Sequence, residues 1–403
     1  MILSISTLRT LVACAFTLLV AIAMSMPVMA ADLAWMRHEV GGASDLEVDH
    51  YGHDGGTTVP EVATNENTYG CCGGGGSIIG VAPLASGGYV VARNDIDVNN
   101  SDNLFDSFVH DNDLNIGPSS NNTRGINNST FLGIVGLGNG DYVWGRAEAD
   151  NDADFYLHSG TTAAEIGDIA NTAGLGALYL GLAPVAGGNF VWGRHDAGPN
   201  EMQWIIHDGN VAALTALANN FGSGRGLGAG SLGVAGLANG NFVYGRDDAG
   251  SIEWFINSGT TALELADNVD GRGVGLGVLD VIGLSDGNFA YARNVGGSYD
   301  LAVHDGTTAG ELAYANQVRG IGTFLGMVPL PDGSFVYARE DQGSIDLFQY
   351  SGTTLDEIGV LTGHRGVGAG GSLFDGIVGL VPEPSSALML LAGLACLAAC
   401  RRP

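Results

Sequence analysis

Along most of the chain, short apolar runs alternate with glycine-rich breaks, and one run keeps the same two-sided pattern each time it returns. In Asn241-Phe242-Val243-Tyr244-Gly245-Arg246, the residues Phe242, Tyr244 and Arg246 fall on one side of an extended strand, with Val243 and Gly245 on the other. The split recurs as Tyr142, Trp144, Arg146 and as Phe190, Trp192, Arg194. Bulky residues on one face and small ones on the other suit a sheet that packs on both sides, each protrusion meeting a hollow. Four strand-like runs surround each copy. In one unit they are a at 233–237, b at 241–246, c at 252–256 and d at 262–265, the last entered through the turn Ser258-Gly259-Thr260-Thr261.

The arginines that close run b are Arg37, Arg93, Arg146, Arg194, Arg246, Arg293 and Arg339, spaced 46 to 56 residues apart. Units of this size with four strands match propeller blades. Run a recurs at Val81, Ile134, Leu182, Val234, Val281, Met327 and Ile377. The first run b (33–37) has no run a before it, and the last run a (377–380) has no run b after it. A ring resolves both mismatches by pairing the chain ends, which also removes exposed sheet edges. The expectation is an all-β, seven-bladed β-propeller over 31–380, its first and last strands closing one blade. A β-solenoid, which would not need complementary ends, is the alternative, with a sandwich pair behind it.

Loop lengths fix partners for the arginines. Two-residue turns at Ala249-Gly250, Gly296-Gly297 and Gln342-Gly343 set Arg246 opposite Glu253, Arg293 opposite Asp300 and Arg339 opposite Asp346. The matching positions elsewhere are Asp49, Asp106, Asp154 and Gln203. A second series, Arg124, Arg225, Arg272, Arg319 and Arg365, precedes a glycine in the connector before run a. Such regular recurrence points to a structural charge network, because one catalytic site needs no such copies. His110, His158, His207 and His304 end run c, one per unit, and read as turn caps rather than a metal cluster.

Composition narrows the function. Forty-three acidic residues face 15 basic ones, all arginine, for a net charge of −28, which repels nucleic acid and anionic membranes and favours divalent cations. The absence of lysine excludes Schiff-base chemistry. Cys14, Cys396 and Cys400 lie in the terminal segments, leaving adjacent Cys71 and Cys72, so there is no disulfide framework or zinc-finger spacing. The stretch from Gly228 to Gly233 fits a dinucleotide pattern by letter, but a strand follows it and the match is discarded. No nucleophile elbow, zinc-protease or P-loop motif appears.

Both ends read as addresses. Arg9 and the apolar run 11–23, followed by Val28-Met29-Ala30, predict a signal peptide over 1–30 cut by signal peptidase. At the other end Val381-Pro382-Glu383-Pro384 leads into an apolar stretch, 387–400, closed by Arg401-Arg402. This order resembles the PEP-CTERM sorting signal. The resemblance implies that 381–403 is a sorting segment with a short transmembrane helix, cleaved near Pro382–Pro384 by an exosortase-type membrane protease. It further implies export to the envelope, surface or extracellular matrix of a Gram-negative-type bacterium, with membrane contact only through this segment before processing.

The least regular loop follows Arg93. Asp95, Asp97, Asn99, Asp102 and Asp106 supply alternating oxygen ligands of the kind calcium takes, though Asn100 stands where a calcium loop has glycine. Asp150, Asp152 and Asp154 form a smaller acidic group. The function expected is a non-enzymatic binding or structural platform, with exopolysaccharide or surface proteins as partners. The alternative is a secreted carbohydrate-active hydrolase or lyase on the same scaffold.

Overall fold

The period-two runs become seven antiparallel blades: six four-stranded sheets that follow chain order from an inner strand a to an outer strand d, and a seventh that joins the chain ends and carries a short fifth strand. The computed structural model describes residues 31–380 except 41–45, 66–69, 72–76, 97–102, 112, 126–129, 149, 170–173, 211–215, 221–224, 321 and 367–372. In blade V the strands are Gly230–Gly236, Phe242–Asp248, Ser251–Asn257 and Glu264–Gly273. Blades II, III, IV, VI and VII span 77–125, 130–169, 178–219, 277–315 and 323–366.

Blade I joins the chain ends. Its inner strand is Leu373–Gly379, which pairs with Leu33–Val40, followed by Leu46–His53 and Glu61–Asn65. The ladder sets Leu33 opposite Gly379 and Trp35 opposite Ile377. Cys71 sits in a short strand, Gly70–Cys71, on the same sheet, and Cys72 lies outside the described residues. Each inner strand touches the next, and Leu373–Gly379 touches the inner strands of both blade II and blade VII. The ring is closed, and the protein is a seven-bladed β-propeller.

The core lies between blades. Each of the seven interfaces holds its own cluster of buried side chains, such as Phe242, Tyr244 and Trp204 between blades IV and V. Val243, Trp254 and Ile256 from the other face of blade V meet Phe289 and Tyr291 of blade VI. Volume is traded across the b–c ladder. Gly145, Gly193 and Gly245 oppose Phe155, Trp204 and Trp254, while Ala292 and Ala338 oppose leucines. A methyl on Gly245 would lie 2.5 Å from the Trp254 ring, so the small residue is what lets the indole lie flat.

Strand d departs from the sequence reading. In blade V it runs Glu264–Gly273, beginning later and reaching further than 262–265, so that Arg272 belongs to the strand rather than to a connector. The cause is Ala262, which takes a left-handed conformation (φ 58°) and prolongs the turn. Equivalent left-handed residues are Val59, Leu114, Ala163, Ala309 and Leu355. Their buried side chains hold them in a conformation that disfavours any Cβ.

Candidate functional site

The blade pattern separates two faces. The a–b and c–d turns share one face with residues 31–33 and 380, while the b–c turns and d–a connectors occupy the other. On the first face, a–b turns of all seven blades surround a cavity of about 860 Å³ at the ring axis. Its walls include Leu137, Leu237, Leu284, Leu330 and Leu380, with glycine and proline between them, and no lining side chain among the described residues is ionisable. The amide of Leu380 donates to the Asp32 carbonyl at 2.7 Å, so both ends of the propeller body meet at this rim.

The c-strand histidines stiffen the same face. His53 and His158 donate from Nδ1 to the carbonyls of Val59 and Ala163, at 2.9 and 3.0 Å, and accept from Trp35 and Trp144 indoles at Nε2, each at 3.0 Å. Asn257 replaces histidine in blade V and donates to the Ala262 carbonyl at 3.0 Å. Every one of these carbonyls belongs to a left-handed turn residue. Burial holds His53 and His110 down to about 4, so they are neutral hydrogen-bonding groups at neutral pH.

The arginines form a lattice. Arg246 contacts Glu253 at 2.6 Å, Arg293 contacts Asp300 at 2.8 Å and Arg339 contacts Asp346 at 2.9 Å. Arg37–Asp49, Arg93–Asp106 and Arg146–Asp154 repeat the pair at 3.2, 2.6 and 3.1 Å, while Arg194 donates to Gln203 at 2.9 Å. The second series crosses between blades. Arg225, Arg272 and Arg319 bind Glu264, Glu311 and Glu357, the first residues of the next outer strands. Arg365 binds Glu61 at 2.8 Å and so crosses the ring closure. Aromatic rings lie between the two series: Phe255 is 4.8 Å from Arg225 and 5.4 Å from Arg246, and Tyr51 is 4.7 Å from Arg365 and 5.4 Å from Arg37. The first series thus links strands b and c within a blade, and the second links neighbouring blades.

Of the acidic loop, Asp97, Asn99 and Asp102 lie outside the described residues. Asp95 is opposite Leu104 in the b–c ladder, and Asp106 is buried against Arg93. The structure therefore gives the Asp106 carboxylate to the arginine lattice.

Two acids escaped the sequence reading. Asp280 occupies the inner-strand position that is glycine in the six other blades, at Gly80, Gly133, Gly181, Gly233, Gly326 and Gly376. Aligning the repeats would have exposed it. Its carboxylate accepts from the amides of Val281 and Met327 at 2.9 and 3.0 Å, and burial pushes it up to about 6. Asp270 is the other, buried beside His304; its partner lies in another blade, and no local motif marks it.

Residues 380–402 match the PEP-CTERM protein-sorting motif. The chain is an exported protein, anchored to or processed at the cell envelope. The motif implies processing by exosortase, and it continues directly from Leu380 at the cavity rim. No helix among the described residues is long and apolar enough to cross a membrane. A search of curated proteins finds no match. Among solved structures, the chain is similar to a protein from Lactobacillus plantarum (10% identity, 82% of this chain and 98% of that one, TM-score 0.49). It is also similar to Sqt1 of Chaetomium thermophilum (13% identity, 88% and 93%, TM-score 0.44). A third is the β-propeller domain of the Trilobed protease from Pyrococcus furiosus (10% identity, 69% and 81%, TM-score 0.43).

Proposed function

We propose that the propeller is a non-enzymatic display platform, held to the envelope by its cavity face and presenting its b–c turns and connectors outward to exopolysaccharide or surface proteins. The supporting observation is the exit of the sorting segment at Leu380. A tail leaving beside the ring axis keeps that face toward the membrane until exosortase cuts. The opposite face carries the irregular, acidic loops, where a rigid scaffold most readily varies its contacts. Residues 1–30 and 381–403 are then addresses lost during maturation, and Asp95, Asp97, Asn99 and Asp102, between strands b and c of blade II in the sequence, are the calcium ligands of this reading, the ion bridging them to acidic sugars.

The test is binding of the host's own exopolysaccharide, with and without calcium, to the protein and to two variants. Asp150→Ala/Asp152→Ala alters the outward face, and Leu137→Ser alters the cavity. Weakened binding in the first alone supports the platform. Weakened binding in the second alone moves the site to the cavity and overturns the orientation, while sugar fragments with new reducing ends would favour the hydrolase or lyase reading.

A further inference from the structure

Blades I and III show what a satisfied histidine cap looks like. Its Nδ1–H goes to the turn carbonyl and its Nε2 lone pair accepts an indole N–H from strand b, as in Trp35–His53 and Trp144–His158. Blade VI breaks this arrangement. Tyr291 occupies the tryptophan position, and its hydroxyl donates to Asp270 of blade V instead of to the histidine. His304 still donates from Nδ1 to the Ala309 carbonyl at 2.7 Å, so that nitrogen holds a proton. Its Nε2 faces the Asp270 carboxylate at 3.4 Å, with both side chains fully buried. Among the described residues neither His304 Nε2 nor Asp270 Oδ1 has a hydrogen-bond partner, the nearest cation to Oδ1 being Arg272 Nε at 3.6 Å.

A lone pair facing a carboxylate in a dry interface is repulsive unless a cation lies between them. A shared proton would draw the pair to about 2.7–2.9 Å. A tetrahedral ion with bonds near 2.1 Å instead separates its ligands by about 3.4 Å, which is the spacing found. Glu311 supplies a third donor, its carboxylate lying within 4.8 Å of the other two ligand atoms. We propose that Asp270, His304 and Glu311 bind a divalent ion of the zinc type at the seam between blades V and VI.

The surroundings suit such a site. The Ala309 carbonyl fixes the histidine tautomer and Tyr291 orients the aspartate, the outer support that metal ligands ordinarily have. Glu311 is exposed and offers the entry path, with a fourth position left for water. Arg272 is the competitor, holding Glu311 at 2.6 Å and lying 3.6 Å from Asp270, so metal binding draws Glu311 partly away from it. The related group His53, Glu61 and His364 differs. There Nε2 of His53 already accepts from Trp35 and has no lone pair for a metal; Nε2 of His364 lies 2.9 Å from Glu61 with no hydrogen-bond partner among the described residues, so only His364 and Glu61 remain as donors, and Glu61 is also held by Arg365 at 2.8 Å.

The test uses the full-length chain in detergent, stripped of metal by chelator and titrated with Co²⁺ and then Zn²⁺ at pH 7.5. One equivalent should give the intense visible absorption of tetrahedral cobalt, and zinc should bleach it. Asp270→Asn, which keeps an acceptor for Tyr291, and His304→Gln should each weaken binding at least tenfold, while His53→Gln should leave it intact. Unchanged absorption in both blade V–VI variants would overturn the site. So would its absence in the parent, with nitrogen NMR showing His304 protonated on both ring nitrogens, since the cation would then be a proton.

Discussion

Gly245 and Asp280 show how single positions tune a repeated scaffold. Gly245 lets the Trp254 indole cross strand b, and a methyl there would sit 2.5 Å from the ring. Gly245→Ala should lower stability by about 1–3 kcal/mol, the usual cost of overpacking, whereas Ala292→Gly should have a smaller effect because Leu301 is its neighbour. Chemical denaturation of the two variants compares them directly, and an unchanged Gly245→Ala midpoint would remove the volume-trade argument. For Asp280, burial raises the folded-state pKa from 3.8 to about 6. The ionised form is therefore disfavoured on folding. That cost is absent below pH 4, grows from pH 4 to 6 and is constant above. Asp280→Asn should thus be more stable than the parent at pH 7.5, by at most about 3 kcal/mol, and equal to it near pH 3.5. A pH-independent difference would refute the buried-charge account.

Turns and outer strands carry the strain of the elements. The hairpin Ala249-Gly250 has φ values of 53° and 94°, both left-handed, and Gln342-Gly343 has 52° and 86°. Such turns match the twist of the flanking strands and prefer Asn-Gly. Asn tolerates the left-handed region better than Ala, so Ala249→Asn should stabilise the protein by about 0.5–1 kcal/mol. A thermal melt at fixed pH measures it, and destabilisation would mean that the turn relaxes elsewhere. The Ser-Gly-Thr-Thr turn is built differently. Ser258 Oγ accepts from Thr260 and Thr261 amides, each at 3.2 Å, while Ala262 bends left-handed beneath the Asn257 amide. This extra bend delays strand d and places Arg272 within reach of the next blade.

Closure is a property of the whole ring. Strand Leu373–Gly379 contributes to the clusters on both sides of blade I, through Val378 toward blade II and Ile377 toward blade VII. Deleting 373–403 should abolish cooperative unfolding and expose dye-binding apolar surface, while deleting only 381–403 should leave the melting temperature of the remainder unchanged. A cooperative melt in the longer deletion would contradict strand closure. Acid acts on the ring through its histidines. Those of His53 and His110 are depressed to about 4, and His50 is lowered too, all chiefly by burial. The neutral forms are favoured by folding, so their stabilisation is complete above pH 6.5 and is lost as pH falls toward 4. The denaturation midpoint should fall across that window, and His53→Gln should flatten part of the slope. Asp280 titrates in the same window with the opposite sign, so the comparison is with the variant, and identical slopes for the parent and His53→Gln would refute the histidine contribution.

The strand pattern, the seven-fold count, the complementary ends and the sorting motif are all legible in the sequence, because each depends on local periodicity or contiguous residues. The ladders that oppose Arg246 to Glu253 and Arg339 to Asp346 follow from two-residue turns, which fix register within a hairpin. What crosses blades is different. Arg365 meets Glu61 across 304 residues, and Asp270 meets His304 only because the outer strand of one blade leans over the turn of the next. The cavity arises the same way, from seven ordinary turns brought to one axis. Local spacing specifies which side of a strand a residue occupies; only ring closure and blade twist decide which distant side chain it faces.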